Sequence, residues 1–364
     1  MFPIMKSPIS IGNLELKNRV VMPAMGVNLS AKDGGVSEEI IAYYEARAAG
    51  GAGLIISEIT RVTDGAGEPF QLAARDYKDV PGLQKLTDAI HKHNTKFFLQ
   101  LHHPGAMASP LVTGVQSVAP SAAIAGEGLL HELTLEECGK LVQAFITGAQ
   151  VAQMAGADGV ELHGAHGYLI NQFLSPALNF RDDKYGGSFE GRMRFVTEIL
   201  LGIKERCGSP FPVFVRINAE EYFPNGIDIQ EAKKIAAELE RIGADAIDVS
   251  CFSEGCIEPA TYQQGWKRYM AEAIKAAVTI PVIAVCNIKE PQTGEELLQE
   301  GACDLIGVAR GHLADPQWCN KAFEGQVDKI RLCIRCNLCF NEICKLNPVK
   351  CAVNPLLGKE LDNI

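Results

Sequence analysis

The chain is predicted to be an α/β protein: a (β/α)8 barrel of the TIM type over residues 1–325, followed by a cysteine-bearing, metal-binding extension over residues 326–364. Three observations carry this reading. Eight short apolar runs recur along the 364 residues with helical segments between them. Several runs are apolar almost throughout, as strands buried on both faces must be. Five of the twelve cysteines crowd into residues 333–351, beyond the last run. Alternation of strand and helix points to parallel pairing, and eight such units in about 320 residues suit one closed barrel. A doubly wound sheet is the competing arrangement.

In chain order, the expected strands are Arg19–Ala24, Gly53–Ile59, Lys96–Leu101, Gly159–His163, Pro212–Asn218, Ala246–Ser250, Pro281–Val285 and Asp304–Val308. The helix after the third strand has a start signal, Thr134 with Glu137, and the helix after the fifth has Asp228 with Glu231. Each pair fits a capping box ahead of an apolar-periodic stretch. One connection is anomalous: His102 to Leu133 separates strand three from its helix and carries Pro104, Gly105, Pro110, Gly114, Pro120 and Gly126. Loops of that length in compact domains are usually lids or small subdomains.

The net charge of −10 disfavours a polyanionic partner, so nucleic acid is not expected. The start, MFPIMKSPIS, lacks a basic segment followed by an apolar one, and no run of about 18 apolar residues occurs, so no membrane association is expected. The expectation is a cytoplasmic protein whose cysteines are reduced thiols and metal ligands rather than disulfides. A homo-oligomer is left open.

In Cys333-Ile-Arg-Cys336-Asn-Leu-Cys339, three thiols recur at every third residue, and Cys351 follows after an eleven-residue gap. Three thiolates so spaced wrap a metal–sulfide core and a fourth closes it, as in [4Fe-4S] sites. Structural zinc is the alternative, although it more commonly uses two separated pairs. Cys344 is not expected to be a ligand unless it substitutes for Cys339.

Barrels collect chemistry at the carboxyl ends of their strands. Strand four ends in His163-Gly-Ala-His166-Gly-Tyr168, two imidazoles and a phenol at a turn loosened by Gly164 and Gly167. Two imidazole donors converging on one oxygen could stabilise an enolate, and a phenol with a pKa near 10 stays protonated and can supply a proton. A metal site is the other reading of paired histidines, but no carboxylate is placed to complete it. Gln100 in strand three and Arg216 in strand five are polar groups in apolar strands, each wanting a polar ligand in the barrel mouth. For Arg216 the plainer alternative is a pair with Glu220 or Glu221. Asn287, Ala309 and Arg310 follow strands seven and eight, where barrels commonly bind phosphate. No Rossmann glycine pattern is present.

The chain resembles the old yellow enzyme family, specifically its iron–sulfur branch of 2,4-dienoyl-CoA reductase, 2-enoate reductase and trimethylamine dehydrogenase. The resemblance rests on Asn18–Met25, on Gln100-Leu-His-His-Pro-Gly105, on His163 to Pro176, on Asn179 to Ser188 and on the cysteine run with Val353-Asn-Pro355. It implies FMN across the barrel mouth, with Pro23, Ala24 and Met25 along the ring, Gln100 on the pyrimidine edge and Arg216 near the end that becomes anionic on reduction. It implies Asn287, Ala309 and Arg310 on the phosphate, His163 and His166 on a substrate carbonyl, and Tyr168 as proton donor. A [4Fe-4S] cluster on Cys333, Cys336, Cys339 and Cys351 would feed in electrons.

Three departures from the family pattern stand out. Cys286 occupies a usual glycine position, which would strain the phosphate site if that backbone were left-handed. Ala106 replaces a common arginine. The FAD and NAD(P)H domains of the branch are absent, so electrons are expected from such domains on a longer chain or from a partner protein. The expected activity is flavin-dependent reduction of a carbonyl-conjugated C=C bond. Amine dehydrogenation, which would need an aromatic cage around Tyr168 and Tyr262, and a non-catalytic electron-transfer module are the alternatives.

Overall fold

The computed structural model describes residues 1–64, 67–122, 124–125, 128–251 and 263–363. Tyr262 and most of the loop after the sixth strand lie outside the described residues. The eight expected runs become β1 (Val20–Met22), β2 (Leu54–Arg61), β3 (Lys96–His102), β4 (Gly159–Gly164), β5 (Val213–Asn218), β6 (Ala246–Ser250), β7 (Val282–Ala284) and β8 (Leu305–Gly307). Each pairs in parallel with the next, and β8 returns to β1 to close the barrel. The outer helices are α1 (Glu38–Ala49), α2 (Val80–His91), α3 (Leu135–Met154), α4 (Phe189–Cys207), α5 (Ile229–Arg241), α6 (Arg268–Lys275), α7 (Pro291–Gln299) and α8 (Trp318–Phe323).

Closure gives every strand an inside face, and side chains take turns on it with period two. Phe98, Phe214, Ala246, Ile283 and Leu305 meet in the lower interior with Val21, Leu54 and Ile56. The N-terminal hairpin, Ile9–Ile11 paired with Leu14–Leu16, joins the same cluster through Ile11, Leu14 and Leu16. At Gly159 a Cβ would lie 2.4 Å from the Phe98 ring, so only glycine fits the inside of β4 there. Two residues further up each strand the inside face turns polar: Gln100, Glu161, Arg216 and Asp248. Two further again come His102, His163, Asn218 and Ser250. The register locks these together, pairing Gln100 with Glu161, His163 with Arg216, Arg216 with Asp248 and Asn218 with Ser250.

The two expected caps differ. Thr134 and Glu137 form the full reciprocal box at the start of α3. Asp228 caps α5 through the Gln230 and Glu231 amides, but Glu231 turns to Arg192, 2.5 Å away, instead of closing the box. The long connection after β3 holds a short parallel pair, Val118–Ala119 with His131–Glu132, and so is a small subdomain with Met107 facing the barrel mouth. The extension carries α9 (Leu338–Ile343), whose Ile343 backbone carbonyl accepts from Asn28 Nδ2 at 2.9 Å. Among the described residues no helix is long and apolar enough to cross a membrane.

Candidate active site

Two adjoining cavities of about 520 and 500 Å³ open at the carboxyl end of the barrel and share His166, Tyr168, Arg216, Arg310 and Phe340. The first is further lined by Ala24, Met25, Gln100 and His163, the second by Asn287 and Ala309. The structure therefore brings together every residue expected at the flavin and substrate except Pro23. Pro23 is buried and does not reach either wall.

The turn after β4 has an unusual backbone. His166 and Gly167 both have positive φ, 60° and 76°, and this double left-handed step folds the chain back so that both imidazoles and the phenol face the cavity. A histidine tolerates that region only at a cost, so the turn must be held by other contacts. Asn171 supplies them: its Oδ1 accepts from Gly167 N at 2.7 Å and Asn218 Nδ2 at 3.2 Å, and Asn218 Oδ1 accepts from His166 N at 3.1 Å. Asn171 Nδ2 in turn donates to Glu221 Oε1 at 2.8 Å. Glu221 is thus spent on this support and on Ser175, and Glu220 accepts from Tyr269. Arg216 pairs with neither of them but with Asp248, Nε to Oδ2 at 3.3 Å, and lines both cavities.

The hydrogen bonds identify the imidazole tautomers. Ala165 N donates to His163 Nδ1 at 3.3 Å, so the neutral ring carries its proton on Nε2. That Nε2 lies 3.3 Å from His166 Nδ1, and His166 Nε2 lies 2.6 Å from Ser250 Oγ. A hydroxyl can either donate or accept, so Ser250 permits His166 to present Nδ1–H to a ligand when one displaces His163. Burial drives both imidazoles well below their ordinary pKa, with His166 adding to the effect on His163 and Arg216 to that on His166. Both are therefore neutral donors at physiological pH. Burial likewise pushes the Tyr168 phenol up to about 12. Its ring stands edge-on to His102 and His163, with centroids 4.4 and 4.8 Å apart.

FMN fits the polar atoms of these walls. Gln100 Oε1 and Asn287 Nδ2 are buried without a partner among the described residues, an acceptor on one wall and a donor on the other. Arg310 reaches Asn287 Oδ1 at 3.1 Å and Asn337 Oδ1 at 3.3 Å. Cys286 is not left-handed; the positive φ of 56° belongs to Asn287, which tolerates it, so the anticipated strain does not arise. Ala106 offers its backbone N–H to Gln172 Oε1 at 3.2 Å.

Cys333, Cys336, Cys339 and Cys351 surround one narrow cavity with Leu313, Asn337 and Val353, whereas Cys344 lines the first active-site cavity. Among the described residues no three His, Cys, Asp or Glu side chains lie close enough to hold a single metal ion.

The family model for NADH:flavin oxidoreductases and NADH oxidases matches residues 5–329. The chain belongs to this family. Within it, the NADH oxidase of Thermoanaerobacter brockii is 44% identical over 99% of this chain and 57% of its own length. The cinnamate reductase of Clostridium sporogenes is 35% identical over 99% of this chain and 58% of its length. The solved structure of 2-naphthoyl-CoA reductase with 2-naphthoyl-CoA superposes with a TM-score of 0.96 at 30% identity, covering 100% of this chain and 58% of that one. The chain thus spans a little over half the length of these relatives. It is a barrel of this flavin oxidoreductase family, with the two cavities described above at the carboxyl ends of its strands.

Sequence reasoning missed Glu161, Asp248, Asn218, Ser250 and Asn171. The first four lie on strands, where nothing in a single strand says which of its two faces turns inward.

Proposed function

We propose that this protein reduces the carbon–carbon double bond of an α,β-unsaturated carbonyl compound, with electrons entering through a [4Fe-4S] cluster on Cys333, Cys336, Cys339 and Cys351. The observation that carries the reading is the joint exposure of two neutral imidazoles and one neutral phenol on a single cavity wall. The activities for which the similar cinnamate and 2-naphthoyl-CoA reductases are named support it. FMN, when bound, supplies the hydride. His163 Nε2–H and His166 Nδ1–H hold the carbonyl oxygen and take up the negative charge that develops there. Each such donor is worth about 3 kcal/mol in a dry site. Tyr168 holds its proton at the phenol oxygen until the α carbon accepts it.

An amine-dehydrogenase reading finds less support. The aromatic side chains lining the two cavities among the described residues are Tyr168 and Phe340, too few for a cage around an ammonium group. FAD and NAD(P)H, on further domains or a partner protein, remain the proposed upstream electron source.

The test is anaerobic purification with flavin, iron and acid-labile sulfide analysis, followed by stopped-flow reoxidation of dithionite-reduced protein by an enone. Bound FMN, a cluster and fast reoxidation that slows at least 100-fold in His163→Ala are expected. An unchanged rate in that variant overturns the assignment of His163.

A further inference from the structure

We infer that Glu161 and Asp248 share one proton beneath the cavity, and that this shared proton sets both the orientation of Gln100 and the charge that Arg216 presents to the flavin. The inference deepens the flavin reading and rests on it for its second half. Glu161 on β4 and Asp248 on β6 are both fully buried. They stand on alternate strands, as residues of one barrel layer do.

The hydrogen-bond inventory of this layer is incomplete. Glu161 Oε1 accepts from Gln100 Nε2 at 2.7 Å. Glu161 Oε2, Asp248 Oδ1 and Asp248 Oδ2 have no hydrogen-bond donor among the described residues, and Arg216 Nε is an ion-pair neighbour of Oδ2 rather than an aligned donor. Three buried carboxyl oxygens without a donor are costly, and two ionised carboxylates against one guanidinium would leave an uncompensated charge away from water. One proton removes both defects. Held on Glu161 Oε2 and donated to Asp248, it supplies the missing hydrogen bond and leaves Asp248 and Arg216 as a neutral pair.

The other groups facing this pair offer no substitute. From β3 come Gln100 and His102, from β4 His163, and from β5 Arg216; β7 and β8 turn Ile283 and Leu305 inward. Burial raises both carboxyls, Glu161 the further because Asp248 repels its charge while Arg216 holds Asp248 down. Arg216 Nε stands 3.3 Å from Asp248 Oδ2, so the negative charge belongs on Asp248 and the proton on Glu161. Its carbonyl oxygen then faces the Gln100 amide nitrogen, so Gln100 Oε1 must turn upward as an acceptor, matching its lack of any partner in the protein. Glu161 and Asp248 are positioning residues: they act on the flavin only through Gln100 and Arg216.

Infrared spectroscopy and redox titration test this together. Spectra are recorded at pH 9, where Glu58, a second buried carboxyl raised to about 7, is ionised. The unaltered protein should show a protonated-carboxyl band that Glu161→Gln abolishes, whether or not FMN is loaded. Glu161→Gln mimics the acid, donating to Asp248 and accepting from Gln100, so it should retain FMN with an unchanged flavin midpoint potential. Combining Glu161→Gln with Asp248→Asn leaves Arg216 uncompensated and should favour reduced over oxidised flavin at least tenfold, about 30 mV for a two-electron couple. Absence of the band in the unaltered protein, or its persistence in Glu161→Gln, overturns the shared proton. An unchanged potential in the flavin-loaded double variant overturns the pair's influence on the flavin. Failure of the unaltered protein to bind FMN overturns the flavin reading instead, while the infrared result on the unloaded protein still decides the proton.

Discussion

Replacing His166 separates chemistry from backbone strain. The residue sits at φ 60°, its Nδ1 lies 3.3 Å from His163 Nε2, and it is anchored at 2.6 Å by Ser250 Oγ. His166→Ala removes one of two oxyanion donors, a loss of about 3 kcal/mol or 100- to 1000-fold in the hydride step. Alanine keeps a Cβ in the left-handed region, whereas His166→Gly relieves that conformation and gains back on the order of 1 kcal/mol of stability. Both variants should nevertheless be equally slow, because neither offers an N–H. His166→Asn tolerates the same φ and retains an amide donor, so its rate should fall by no more than about tenfold. The assay is stopped-flow oxidation of reduced, flavin-replete protein by saturating enone, with flavin content and thermal midpoint recorded for each variant. A His166→Gly rate equal to that of the unaltered protein would refute the donor role. A slow His166→Ala beside a fast His166→Gly would assign the defect to the backbone.

Further outcomes are expected at Tyr168, Ser250, the extension cysteines and Glu360. Tyr168→Phe keeps the ring packing but removes the acid, so product formation should slow by about 100- to 10,000-fold; flavin content should stay intact. Because the active form is the protonated phenol and its pKa is raised to about 12, activity should not fall through Tyr168 between pH 7 and about 10, and an alkaline loss near pH 8 that disappears in Tyr168→Phe would contradict this. Ser250→Ala should cost about fivefold in the same stopped-flow step by removing the hydroxyl that lets His166 choose its tautomer, while a rate identical to the unaltered protein would show the tautomer to be set elsewhere. Cys336→Ser should lose iron and sulfide on anaerobic purification and Cys344→Ser should not, since Cys344 faces the other cavity; equal loss would reassign the ligand set. Glu360→Ala leaves the fully buried Arg47 without the carboxylate that meets it at 2.6 Å, and should lower unfolding stability by about 3 kcal/mol in urea titration, against no change if the pair is dispensable.

Much of this molecule can be read from the residue string because the relevant signals are local. The eight strands announce themselves as short apolar runs, since a strand covered on both faces has no polar position to spare. Gln100 and Arg216 stand out for the same reason, as do the clustered imidazoles and cysteines. Glu161 and Asp248 lie in equally apolar strands and were nevertheless missed, because nothing in a strand alone says which of its two faces turns inward. The acidic partner of Arg216 was hidden in the same way: the alternative partners Glu220 and Glu221 are near in sequence, but Asp248 is its neighbour across the β5–β6 register. Glu231 fits a capping box by spacing, yet Arg192 from another helix claims it.

Residue order by itself determined the alternation of strand and helix, the closed-barrel topology and the identity of the groups able to donate protons or hold metal. Each depends on periodicity or on side-chain chemistry, which distant parts of the chain do not alter. Only the tertiary structure decided that His163, His166 and Tyr168 share one wall, that Asn171 and Glu221 hold the left-handed turn beneath them, and that two carboxyls meet one guanidinium out of reach of water. Those facts arise when the barrel closes, because closure selects a single inside face for every strand and brings together groups tens of residues apart.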